Sequence, residues 1–131
     1  MKDHILVVDD EPQIRELLSI YLTKHGYRVS STSTSEETMQ CVGQEQVDLV
    51  VLDIGLAEED GLGLLVRLKG SHPEIHVIML TGMGFVEDLL HEATQKGADG
   101  YVSKVLPLDE LLMTIQRILH PTGKAAVARC A

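Results

Sequence analysis

Cysteine is scarce: Cys41 and Cys130 are the two in the chain, they lie far apart, and they match no metal-ligand spacing. They read as two free thiols of a cytosolic protein, with Cys130 in a flexible tail. Basic residues are also short, 11 Lys and Arg against 20 Asp and Glu, for a net charge of −9. That balance argues against direct binding of nucleic acid or an anionic membrane surface. No apolar run is long enough to span a bilayer. The opening "MKDHILVVDDE" is broken by acids too early for a signal peptide, which points to a cytoplasmic location. The six histidines (His4, His25, His72, His76, His91 and His120) form no ligand pair. There is no internal repeat, no low-complexity stretch and no sign of a second domain.

What remains is one compact domain's worth of chain, 131 residues at 44% hydrophobic content, enough to bury a core. Its organisation is a regular alternation. Strands are expected at Ile5 to Val8, Tyr27 to Ser31, Leu49 to Leu52, Ile75 to Leu80 and Tyr101 to Ser103. Three of them are continuous apolar runs, as befits strands covered on both faces of a parallel sheet. Helical periodicity fills the gaps. Ile14, Leu17, Leu18, Tyr21 and Leu22 recur at helical spacing, with Pro12 at the start and Gly26 at the end. A second helix follows "STSE", where Ser33 or Thr34 caps and Glu36 or Glu37 completes a capping box. A third begins near Asp60, a fourth runs from about Val86 to Lys96 before Gly97, and a fifth carries Leu108, Leu111, Leu112, Ile115, Ile118 and Leu119 as one stripe. Five βα units predict a doubly wound α/β sandwich with right-handed crossovers. The domain is expected over residues 1–120, and 121–131 read as a tail or linker stub.

The polar residues fall where such a sheet binds ligands, outside the carboxyl ends of its strands. "ILVVDDEP" ends in Asp9 and Asp10, "VVLD" ends in Asp53, "VIMLT" ends in Thr81, and "YVSK" ends in Lys104. Three clustered carboxylates repel one another unless a cation holds them or some stay protonated. Hard oxygen ligands with room for water suit Mg²⁺. A lysine and a hydroxyl beside a metal can hold a phosphoryl group, and a carboxylate can itself be the nucleophile.

The motifs "LVVDDEPQIRELL", "DLVVLDIGLAEEDGLGLL", "VIMLTG" and "GADGYVSK", in this order and at this spacing, resemble the receiver domain of bacterial two-component response regulators over about Lys2 to Leu119. The resemblance implies a flavodoxin-like (βα)₅ sandwich with strand order 2-1-3-4-5. It implies that Asp53 is the phosphoacceptor, charged by a sensor histidine kinase or phosphotransfer protein. Asp10 would bind Mg²⁺ directly, Asp9 mainly through water, and the backbone carbonyl of Gly55 would add a ligand. Thr81 and Lys104 would contact the phosphoryl oxygens, and Tyr101 would change rotamer on activation. The helix 4–strand 5–helix 5 surface would then favour a homodimer or an output partner. Such a protein is not an enzyme toward other substrates; it catalyses its own phosphorylation and dephosphorylation.

Several positions depart from the family pattern. The usual Met-Pro after the acceptor is Leu56-Ala57, Gly82 and Gly84 loosen the start of helix four, and Val105 replaces the proline after Lys104. A cis bond is far costlier at Lys-Val than at Lys-Pro, so a trans Lys104–Val105 peptide is expected. Taken singly, the site residues have plainer explanations: Asp9 or Asp10 as a helix cap, Asp53 as a turn residue, Lys104 as a solvated charge, Tyr101 as packing. Glu58 and Glu59 read as a solvated loop. A flavin or dinucleotide carrier fails, because Asp9-Asp10-Glu11 stands where a phosphate cradle is needed. A metal-dependent phosphohydrolase lacks its Asp-x-Asp pair. The remaining rival is a receiver-like module that binds partners without being phosphorylated.

Overall fold

β1 (His4–Val8), β3 (Leu49–Asp53) and β4 (His76–Thr81) are nearly unbroken runs of Ile, Leu and Val, and every residue of β1 and β3 is buried. Such runs suit strands sandwiched between two helical layers. β2 (Arg28–Thr32) and β5 (Gly100–Ser103) are more polar or smaller and lie at the edges. All pairings are parallel, in the order β2-β1-β3-β4-β5. The computed structural model describes residues 3–55, 61–82, 87–104 and 108–120. The sheet order matches the sequence expectation, with strand ends shifted by one residue at β1 to β5.

Side chains alternate across the sheet, and each set meets its own helices. Ile5, Val7, Leu49, Val51, Ile78 and Leu80 pack with Leu18 and Leu22 of α1 (Pro12–Lys24) and with Leu111 and Ile115 of α5 (Leu108–Leu119). On the other face, Leu6, Val8, Val50, Leu52, Val77 and Met79 meet Val42 of α2 (Ser35–Gln44), Leu64, Leu65 and Leu68 of α3 (Gly61–Ser71), and Ala93 of α4 (Glu87–Gln95). No helix among the described residues is long and apolar enough to cross a membrane.

Helix ends follow local chemistry. Thr34 is the N-cap of α2; its hydroxyl accepts from Glu37 N at 3.2 Å, while Glu37 Oε1 accepts from Ser33 N at 2.9 Å. Gly97 closes the turn after α4 at φ +104°, a conformation that only glycine adopts cheaply. At α1 the N-cap is Glu11, with Pro12 opening the helix and no side-chain cap bond. Neither Asp9 nor Asp10 caps this helix, because the proline fixes the start one residue further on and holds Glu11 extended. Their carboxylates are thereby left to the crevice.

Gly61 marks where α3 must crowd the end of β3. A Cβ there would collide with the Asp53 carbonyl and stand 2.7 Å from Ile54 Cα. Gly70, in the same helix, has open space around its Cβ position. Gly61→Ala is therefore expected to lower the urea unfolding midpoint, at a cost of about 1–3 kcal/mol. Gly70→Ala should raise it by about 0.5–1 kcal/mol through helix propensity. Equal shifts for the two variants would contradict this packing.

Candidate functional site

Register brings the strand ends level. Val8 pairs with Leu52, Asp53 with Leu80, and Thr81 with Ser103, so Asp9, Asp53, Thr81 and Lys104 arrive at one rim. β1 feeds β2 on one side and neighbours β3 on the other, which makes the gap between β1 and β3 the switch point of the sheet. The ladders run one residue past the strands. Asp9 N donates to Thr32 O at 3.2 Å, and Lys104 N donates to Thr81 O at 2.6 Å. The backbone of each site residue is thus fixed by the sheet rather than by a free loop.

Asp9, Asp10 and Asp53 each place a carboxylate oxygen within 4.8 Å of the others. Asp9 is fully buried and Asp53 is 4% exposed. Asp53 Oδ1 accepts from Gly55 N at 3.0 Å, and Asp9 Oδ1 accepts from Glu11 N at 2.9 Å. Lys104 Nζ lies between them, 3.2 Å from Asp53 Oδ2, 2.9 Å from Asp9 Oδ2 and 3.0 Å from Glu11 Oε1. The contact to Asp9 Oδ2 is close but poorly aligned for a hydrogen bond, so this buried oxygen keeps an unmet acceptor. Arg15 Nη1 donates to the Asp9 carbonyl at 2.7 Å and adds positive charge behind the crevice.

Burial pushes the Asp9 carboxyl above its ordinary range. The Glu11 N–H and the Lys104 ammonium pull it down without cancelling the burial, and the Asp53 charge pushes it further up. Burial also disfavours the Lys104 ammonium, but Asp9, Glu11 and Asp53 together outweigh it and raise the lysine above its usual value. One cation thus balances a surplus of carboxylates. A cluster of hard oxygen donors with a buried, unmet acceptor is compatible with a bound cation.

The remaining expected residues are placed as follows. Thr81 ends β4 and is fully buried. Tyr101, opposite Met79 on β5, is partly buried and packs toward the α2, α3 and α4 side. Gly55 is exposed beside Asp53, serving it through its N–H. Gly82 lies under the lysine stem, its Cβ position 3.8 Å from Lys104 Cδ. Leu56, Ala57, Glu58, Glu59, Gly84, Val105 with its bond to Lys104, and the 121–131 segment with Cys130 lie outside the described residues. None of the peptide bonds within the described residues is cis. Sequence reasoning missed Glu11 as a site residue. The available signal was only its place in the acidic run Asp9-Asp10-Glu11 that follows β1.

A family model for the response regulator receiver domain matches residues 5–116. The chain belongs to that family. Among curated receiver-bearing relatives, it is 38% identical to the probable transcriptional regulator ycf27 of Guillardia theta, over 95% of this chain and 48% of that protein. It is 35% identical to the TorCAD operon transcriptional regulatory protein TorR of Escherichia coli strain K12, over 91% of this chain and 51% of that protein. The chain spans about half the length of these two relatives. A solved CheY-like response regulator receiver domain protein from Methanospirillum hungatei JF-1 superposes with a TM-score of 0.87 at 28% identity, covering 95% of this chain and 99% of that one. The receiver domain of TorR gives a TM-score of 0.81 at 35% identity, covering 89% and 96%. The receiver fold and the receiver assignment agree with the sequence motifs.

The raised Asp9 carboxyl yields a stability test. Its native pKa lies above the unfolded value, so the native state takes up this proton first as pH falls. The ionised, buried form is the costly one, present above the native pKa. Asp9→Asn should therefore stabilise the metal-free protein at neutral pH by about 1 kcal/mol in urea unfolding. That advantage should shrink as pH falls through the native pKa toward the ordinary carboxylate range. A variant less stable than wild type at pH 7 would show that burial of the ionised Asp9 carboxylate carries no net cost.

Proposed function

We propose that this receiver accepts a phosphoryl group on Asp53 from a sensor histidine kinase or phosphotransfer protein, with Mg²⁺ held by the acidic cluster. The carrying observation is the buried Asp53 carboxylate with the Lys104 ammonium 3.2 Å from it, at the floor of a crevice that also holds Asp9 and Asp10. An Asp53 carboxylate oxygen attacks phosphorus; the new O–P bond forms as the bond from phosphorus to the donor's imidazole nitrogen breaks, and the donor keeps that electron pair. Lys104 and the Thr81 hydroxyl take phosphoryl oxygens. Asp9, Asp10, Asp53 and the Gly55 carbonyl are the groups that would hold the ion. When bound, Mg²⁺ neutralises charge shared between the carboxylates and the phosphoryl oxygens. The protein acts on itself and is not an enzyme toward other substrates.

Signalling then follows from local packing. Drawing the Thr81 hydroxyl toward phosphoryl vacates space beside β4, which Tyr101 fills, and the α4–β5–α5 surface changes its population of states. That surface serves a homodimer or an output partner in the cytoplasm. Sedimentation with and without beryllofluoride should show tighter self-association of the charged form. Identical profiles would confine the switch to partner binding.

The chemistry is tested by intact mass. With Mg²⁺ and acetyl phosphate, wild type should gain a single labile phosphoryl group, while Asp53→Asn and chelated wild type gain none. Phosphoryl addition that persists in Asp53→Asn would overturn the acceptor assignment. No addition under any condition would favour a receiver-like module that works by binding alone.

A further inference from the structure

Glu11 is the site residue with the least structural reason to be where it is. Its backbone is fixed, with its N–H on Asp9 Oδ1 at 2.9 Å and Pro12 following, but its side chain makes no cap bond for α1. The carboxylate instead crosses the crevice to Lys104, 93 residues away, with Oε1 at 3.0 Å from Nζ. An ammonium has three N–H donors and no more. Lys104 faces three carboxylates at contact distance, those of Asp9, Glu11 and Asp53. The ammonium is therefore ringed by carboxylates before any phosphoryl group arrives, with one donor held by Glu11 in a hydrogen bond.

The three partners are not equally held. The Asp9 and Asp53 side chains are 0% and 6% exposed, while that of Glu11 is 57% exposed. Breaking the contact to either buried carboxylate would leave an unpaired buried charge. Releasing Glu11 returns a carboxylate to water, where solvation replaces what the lysine supplied. Glu11 is thus the partner that yields.

We infer that Glu11 is a positioning residue that holds Lys104 at rest in competition with the phosphoryl group, and so slows the charging of Asp53. This rests on the phosphoryl-transfer reading above. Glu11 acts through the lysine: it holds a donor for which a phosphoryl oxygen competes, and it leaves when that oxygen arrives. As an exposed ion pair it contributes little to folding stability, so its removal bears mainly on the charging step.

The test is a double-mutant cycle timed by acetyl phosphate at saturating Mg²⁺, using wild type, Glu11→Gln, Lys104→Ala and the double variant. Glu11→Gln should charge roughly five-fold faster than wild type, the rate equivalent of an exposed ion pair. In the Lys104→Ala background the same substitution should have almost no effect, because its target is gone. An equal or slower rate for Glu11→Gln overturns the inference. So does an acceleration of the same size without the lysine, which would mean that Glu11 acts by its charge on the incoming anion alone. A second readout needs neither metal nor turnover. In the metal-free protein, the Lys104 ¹⁵Nζ resonance should shift, and its protons should exchange faster with water, in Glu11→Gln but not in Glu16→Gln. An unchanged resonance overturns the resting contact even if Lys104→Ala is too slow to time. A wild type that takes no phosphoryl group defeats the earlier reading instead, and leaves the ammonium resonance to decide the contact.

Discussion

Carboxylates forced together at the end of a buried sheet are the constraint on which this structure turns. Asp9 and Asp53 are nearly sealed from solvent, Asp10 stands beside them, and Lys104 is the ammonium in contact with both buried acids. In a low-dielectric crevice such an arrangement is costly, and the cost is visible in the raised Asp9 carboxyl and in its unmet buried oxygen. Folding alone offers no reason to keep it. The proposed phosphoryl transfer would give one, because surplus negative charge attracts a cation and the lysine is placed to receive a phosphoryl group.

The scaffold tolerates this because its core is insulated from the rim. Two apolar layers, with α1 and α5 on one face and α2, α3 and α4 on the other, bury the central strands completely up to the point where the acids begin. The backbone ladders continue past the strands through Asp9 N and Lys104 N, so the side chains that repel one another cannot relieve the strain by peeling apart. Gly61 contributes at the same place, letting α3 start directly against the carbonyl of Asp53. Precision at the site is borrowed from the sheet, as expected where functional groups sit on regular elements.

The Lys104 contacts also show how a single side chain ties distant parts of the chain. It follows β5 yet touches residues that follow β1 and that end β3, so the lysine spans the whole switch point. Its ammonium is held charged by these neighbours despite burial. The state of the crevice is consequently a matter of which acceptors the lysine serves, and the exposed Glu11 is the most weakly held of them.

Much of this was legible in the residues. Continuous apolar runs in β1, β3 and β4 declared a parallel sheet, helical stripes supplied the layers, and acids at the strand ends located the crevice, because period and burial act locally along the chain. Capping of α2 by Thr34 with Glu37 was readable for the same reason. Other features depended on contacts between distant segments. That the Glu11 carboxylate reaches Lys104 follows from the parallel register of β1, β3, β4 and β5, which no local pattern encodes. The same holds for the orphaned Asp9 oxygen and for the crowding at Gly61. By itself the sequence determined which groups would meet at the rim, because strand ends are set by hydrophobic periodicity. Which of them gather around the lysine's ammonium, and which can let go, only the tertiary structure decided, because burial and distance belong to the packed molecule.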